Sequence, residues 1–271
     1  MTSKMILTAL FISLSVKLFA QDSLNWKPCG EISLAEEDIW SVDVLGNVYV
    51  SNFKKITKYD STLRVRFSQS IKSLGALSAV EPMNTMKLVA FSEEQQTICV
   101  LDNTLTLSEA CIDLSQHGIL NATKIAISAQ SDKLWVFDQL NSRLQLMSLG
   151  SIKQSQEVRN MQGITGIGEI VKMVENQNEL YISNLKGQIY VFDIYGTLKW
   201  VVSASALVDF TVNNGNIMRI IGDKIVVFQG DEEIIDSRNL PIKEVKEFHF
   251  LGGFYYFRTA DKILKYSVSW R

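Results

Sequence analysis

The sequence holds little of what usually marks catalysis or metal binding. Its 271 residues include only two histidines, His117 and His249, and neither stands in a Cys/His spacing that makes a zinc site. No serine sits in a Gly-x-Ser-x-Gly elbow. The glycine-rich GITGIGEI, residues 163 to 170, lacks the Lys-Ser/Thr of a phosphate-binding loop and precedes a strand rather than a helix, so it reads as the loop entering a strand unit. Lysine and arginine are nowhere dense, which makes nucleic acid and anionic lipid poor partners. Proline is scarce, at three residues, and low-complexity tracts are missing, so disordered linkers are not expected. What remains is 46% hydrophobic and 21% charged, the composition of a chain that buries a real core.

The first twenty residues differ from the rest. MTSKMILTALFISLSVKLFAQ has a basic Lys4, an apolar stretch from Met5 to Phe19 and a small Ala20 before Gln21, the pattern of an export signal cleaved after Ala20. Lys17 interrupts the apolar run, which argues against a membrane-spanning helix of about 20 apolar residues. A buried N-terminal helix is the alternative. Cys29 lies too far from the apolar stretch to be a lipidated residue at the cut. Residues 21–271 are expected to form one domain with 25 basic and 29 acidic residues, a formal charge of −4 and no transmembrane segment. The periplasm or the periplasmic side of an outer membrane is the expected address, with full secretion as the alternative.

NELYISNLKGQIYVFDIYGTLKW, residues 178 to 200, reads as two short alternating strands, a reversal at Asp193 and Gly196, and the start of a third. The same plan recurs at residues 47–60, 86–102, 132–149, 216–229 and 252–266. Equivalent positions are Val48, Leu88, Leu134, Leu180, Ile217 and Phe254, separated by 40, 46, 46, 37 and 37 residues. That period, with about four strands in each, predicts an all-β, six-bladed β-propeller. The last repeat supplies three strands, at about 245–251, 253–258 and 262–268, while residues 24–34 form a strand with no blade of its own. Because exposed strand edges invite mispairing, 24–34 is expected to complete the last blade as its outer strand, where Pro28 is tolerable.

The repeats carry resemblances. LWVFDQLNSRLQLMSL resembles the NHL-type six-bladed propeller repeat, with Asp138, Asn141 and Arg143 at the motif positions; the other blades have lost the Asn and Arg. IYVFDIYGTLKW looks more like the quinoprotein-type repeat of outer-membrane assembly propellers. Both imply the propeller fold and neither implies an activity. In size, export signal and plan the chain also resembles accessory propellers of the bacterial outer membrane, including the kind that plugs a secretion translocon, although no motif carries that likeness.

Candidate sites follow from the repeat. The turn between the second and third strands of a blade carries an apolar residue in three repeats, Phe53, Leu140 and Leu185. Such turns share one face of a propeller, and turn tips are normally polar, so these three, bordered by Lys54, Lys55, Arg143 and Lys186, form a candidate partner-binding patch. The alternative is that each folds inward onto its own blade. Cys99 and Cys111 flank the turn at Leu101–Leu107 and either form a disulfide in an oxidising compartment or are two small buried apolar residues. Cys29 is left over and is expected to pack in the outer strand.

Two functional classes remain. One is a non-enzymatic scaffold that binds another protein and needs no cofactor. The other is a divalent-metal-dependent, lactonase-like hydrolase holding calcium in the central channel, for which the inner strands offer Asp43, Glu169, Asp209 and Glu247. Small-ligand binding by Trp40 and other aromatics is a third possibility.

Overall fold

A computed structural model describes residues 25–70, 72–150, 154–203, 209–230 and 233–269. The expected export signal, residues 1–20, lies outside the described residues. The described residues begin with β1 (Asn25–Ser33) and then lay down five four-stranded antiparallel blades in order. Blade 1 is β2 (Ile39–Val42), β3 (Val48–Ser51), β4 (Lys55–Tyr59) and β5 (Val65–Ser70); blade 2 is β6 (Ala79–Pro82), β7 (Lys87–Ser92), β8 (Thr97–Asp102) and β9 (Ile112–Asp113). Blade 3 is β10 (Ala122–Ile127), β11 (Lys133–Asp138), β12 (Arg143–Ser148) and β13 (Gln154–Val158); blade 4 is β14 (Ile170–Asn176), β15 (Glu179–Asn184), β16 (Ile189–Asp193) and β17 (Leu198–Val202). Blade 5 is β18 (Phe210–Asn213), β19 (Asn216–Ile221), β20 (Lys224–Gln229) and β21 (Glu233–Asn239).

Blade 6 has β22 (Glu247–Leu251), β23 (Phe254–Arg258) and β24 (Lys262–Ser269), and β1 pairs antiparallel with β24 from Asn25↔Ser269 to Ser33↔Lys262. The N-terminal strand therefore closes the six-bladed ring. Pro28 lies in this outermost strand beside a bulge, the setting in which a residue without an N–H is tolerated. Cys29 lies beside it but is exposed rather than packed.

The expected alternation of apolar and polar residues in the strands is not what the fold uses. Leu180, Tyr181 and Ile182 are all buried, as are Ile189 through Phe192, because every blade is covered on both faces by its neighbours. Successive side chains then serve opposite neighbours. Trp135 and Phe137 join a core with blade 4, while Leu134 and Val136 join one with blade 2. The protein has six such wedges, one at each blade junction, instead of one central core.

One turn recurs at the strand ends. A carboxyl or amide oxygen accepts the backbone N–H groups two and four residues on, at Asp43, Asp60, Asp102, Asn184 and Asp193. The residue three positions on is left-handed in each: Gly46, Leu63, Leu105, Gly187 and Gly196. Asx side chains supply the acceptor that such a turn needs.

Candidate partner-binding face and central channel

In a four-stranded meander, the turn from second to third strand and the connection to the next blade lie on the same face of the ring. Phe53, Leu140 and Leu185 all occupy second-to-third turns, and they are 66%, 67% and 47% exposed, so none folds inward. Local polar bonds hold each tip out. Asn52 accepts from the N–H groups of Lys54 and Lys55, and Asn184 from those of Lys186 and Gln188, which leaves the intervening Phe53 and Leu185 to project.

Two of the three tips are linked by one run of hydrogen bonds on this face. Asp138, fully buried, accepts from Leu120 N, Asn121 N and the Asn141 side chain, and so ties the blade 2–3 connection to the Leu140 turn. Ser142 of that turn accepts from Met161 N and Gln162 N of α1 (Met161–Thr165), the short helix leading to blade 4. Glu169, four residues beyond α1, accepts at its backbone oxygen from Leu185 N at 3.4 Å. Along this chain of bonds stand four exposed apolar side chains, Leu120, Leu140, Ile164 and Leu185. Phe53 is on blade 1, whose neighbours are blades 2 and 6, so it stands apart with its own Lys54 and Lys55. Leu120 and Ile164 had no signal in the repeat, because they lie in the connections between blades, where the period is lost. α1 also replaces the plain loop expected for the start of GITGIGEI.

Arg143 lines a surface hollow with Leu120, but its charged end is drawn inward. Its guanidinium is spent on Asp138 (Nε 3.1 Å, Nη2 3.0 Å), on Glu157 (Nη1 3.1 Å) and on the Gly118 carbonyl. That explains the NHL-like triplet physically: Asn141 and Arg143 both donate to the one buried carboxylate. Burial pushes the Asp138 carboxyl up, but the bonds from Asn141, Leu120 N and Arg143 outweigh it and hold it below the usual range. Lys186 is exposed beside Leu185.

The channel opens on this face into a cavity of about 350 Å³. A second, of about 310 Å³, continues between the inner strands of blades 2, 3 and 4, and Glu81 and Lys172 line both. Burial raises the Glu81 carboxyl to about 7, with Lys172 opposing, and lowers the His249 imidazole to about 4. Lys172 pairs with Asp209 at 2.6 Å, and Asp209 also accepts from Phe248 N. Trp40 donates to Glu247 and meets the His249 ring edge-on, so both are spent on closure of the ring. Glu247 pairs further with Arg258.

Of the carboxylates proposed as calcium ligands, Asp209 and Glu247 line the first cavity, but Asp43 and Glu169 do not join them there. Asp43 is bound up in its own turn and by Tyr49, Glu169 is exposed, and Asp209 and Glu247 are paired as above. Among the described residues, no group of three or more His, Cys, Asp or Glu side chains could hold a metal ion. His117 ends a short 3-10 turn away from the channel. Cys99 and Cys111 are joined in a disulfide across the blade 2 turn. Among the described residues, no helix is long and apolar enough to cross a membrane.

No family model matches the chain, and no curated protein matches it. Solved structures do. Virginiamycin B lyase from Staphylococcus aureus is 14% identical over 86% of this chain and 80% of its own, with a TM-score of 0.59. The WD40 domain of Neurospora crassa Pan2 is 9% identical over 91% of this chain and 96% of its own, with a TM-score of 0.64. BBS1N, solved in complex with ARL6DN, is 11% identical over 82% of this chain and 75% of its own, with a TM-score of 0.56. At such identities these likenesses show the fold alone, and what this chain shares with all three is the β-propeller.

Proposed function

We propose that this chain is a non-enzymatic propeller that binds another protein through the blade 3–4 face. The observation that carries the reading is the hydrogen-bonded run of exposed apolar residues Leu120, Leu140, Ile164 and Leu185. An apolar arc held rigidly at turn tips is a feature of partner surfaces, since water contact costs it free energy until covered. A propeller solved with a protein partner, BBS1N with ARL6DN, gives the same fold in that role. The signal-like N-terminus supports export, and the Cys99–Cys111 disulfide suits an oxidising compartment such as the periplasm. The narrowest form of the reading is an accessory or plug propeller of an outer-membrane secretion translocon, supported by size, signal and plan.

The test is a gentle-detergent pulldown from the native envelope with wild type and with a Leu140→Asp, Ile164→Asp, Leu185→Asp variant. Wild type should recover one stoichiometric partner that the variant, with unchanged melting, loses. Equal recovery by the variant would remove the face from the mechanism.

Channel chemistry is the second reading, favoured by Glu81, a carboxyl near pKa 7 shared by both cavities. A lactone panel turned over by wild type and not by Glu81→Gln would replace the scaffold reading with an enzyme.

A further inference from the structure

We propose that the outer edge of blade 1 docks an extended acidic peptide segment of a partner protein, which adds to β5 as a fifth strand. This surface is separate from the blade 3–4 face and does not depend on it. All six residues of β5 are exposed, and among the described residues its outward N–H and C=O groups have no ladder partner. Such an edge is a template for strand addition, with main-chain bonds for affinity and side chains for selection.

Of the other blades, all but blade 5 blunt or half-bury their outer edges. β1 carries Pro28 and a bulge, and β9 is two residues long beside the Cys99–Cys111 disulfide. β17 has only Lys199 fully exposed, and Gln156, Glu157 and Val158 of β13 are half-buried. β21 is open, with Ile234 and Ile235 60% and 45% exposed, but it carries Glu233 and Asp236 and pairs its Arg238 with Asp236, so its charge does not suit an acidic strand. β5 also has a bulge, at Arg66, yet from Phe67 to Ser70 it pairs regularly with β4 and keeps a straight outer row. Val65 and Phe67 are 60% and 40% exposed there.

Charge selects the occupant. Arg64 and Arg66 lead into and along β5, Lys54 and Lys55 stand at the adjoining turn, and Lys72 follows the strand, all of them exposed. Among the described residues, none of these five makes an ion pair. The nearby carboxylate, Asp60, is occupied by Thr62 and by the N–H of Arg64. A strand alternating acidic with aliphatic or aromatic residues would satisfy the backbone row, the cations and the apolar pair together.

The experiment is fluorescence anisotropy of a labelled Glu-Val-Glu-Phe-Glu-Val-Glu-Phe peptide titrated with the full chain. The comparisons are an Arg64→Glu, Arg66→Glu variant, the same peptide N-methylated at alternate residues, and poly-glutamate. Saturable binding is expected, weakened about tenfold or more by the charge reversal and by N-methylation, with the melting temperature of the variant unchanged. Failure of the peptide to bind, or equal binding by the variant, would overturn the proposal. Equal binding of the N-methylated peptide or of poly-glutamate would also overturn it, by showing general attraction for anions.

Discussion

The indole N–H of Trp40, on the first inner strand, lies 2.6 Å from a carboxylate oxygen of Glu247, on the last. Residues 207 positions apart thus meet where the ring closes, alongside the β1–β24 ladder and the Ile32, Leu34, Tyr256 and Ile263 wedge with blade 1. Closure is therefore made twice, by a strand and by side chains. Trp40→Phe should keep most of the ring packing and lose the hydrogen bond to the carboxylate, costing about 1.5–3 kcal/mol, whereas Trp40→Ala should cost about 3–5 kcal/mol through the cavity. Deletion of residues 21–34 should abolish the single cooperative transition in urea, and a truncation that melts like wild type would show that β1 is dispensable.

The disulfide closes a short loop, Cys99 and Cys111 being 12 positions apart in sequence. Blade 2 needs it because β9 is so brief that only Thr97 and Ile98 of β8 find ladder partners in it. Reduction, or a Cys99→Ser, Cys111→Ser variant, should lower stability by about 3 kcal/mol. Thiol titration of the denatured, unreduced protein should find one free thiol, Cys29, and a count of three would sink the assignment.

The two channel groups give opposite pH dependences. Glu81 is raised from 4.5 to about 7 in the folded state, so its contribution is full below pH 4.5 and is lost as pH rises through about 7. His249 is lowered from 6.5 to about 4, so its contribution is full above pH 6.5 and is lost as pH falls through about 4. Between those limits the slopes oppose each other. Melting temperatures across this range should then rise at neutral and alkaline pH in Glu81→Gln, and the acid-side loss should shrink in His249→Phe. Profiles parallel to wild type in both variants would place these groups outside the buried channel.

Two left-handed glycines separate strain from crowding. A Cβ on Gly196 would lie 2.1 Å from Val158 Cγ2 of the neighbouring blade, while one on Gly222 would meet nothing within 4 Å. Both have positive φ, +79° and +63°. Gly222→Ala should cost about 1–2 kcal/mol from backbone strain alone, and Gly196→Ala clearly more, measured by urea denaturation. Leu105 adopts the same turn conformation as Gly196 and is tolerated because its side chain is buried in the blade 1–2 wedge.

The sequence by itself determined the strands, their grouping by four and the closing role of the N-terminal strand. Those follow from local patterns: apolar runs of strand length, Asx-and-Gly reversals, and a leftover strand facing an incomplete last repeat. It also placed Phe53, Leu140 and Leu185 at turn tips. Only the tertiary structure decided that the tips stay exposed, that Leu140 and Leu185 join Leu120 and Ile164 along one run of hydrogen bonds, and that Arg143 turns inward to Asp138. Glu81 passed unnoticed in a short strand until six inner strands enclosed it beside Lys172. The physical reason is the same in each case. Except for β1 with β24, strand pairing joins neighbours in the chain, whereas burial, ion pairing and the joining of a surface depend on blades that meet only when the ring closes.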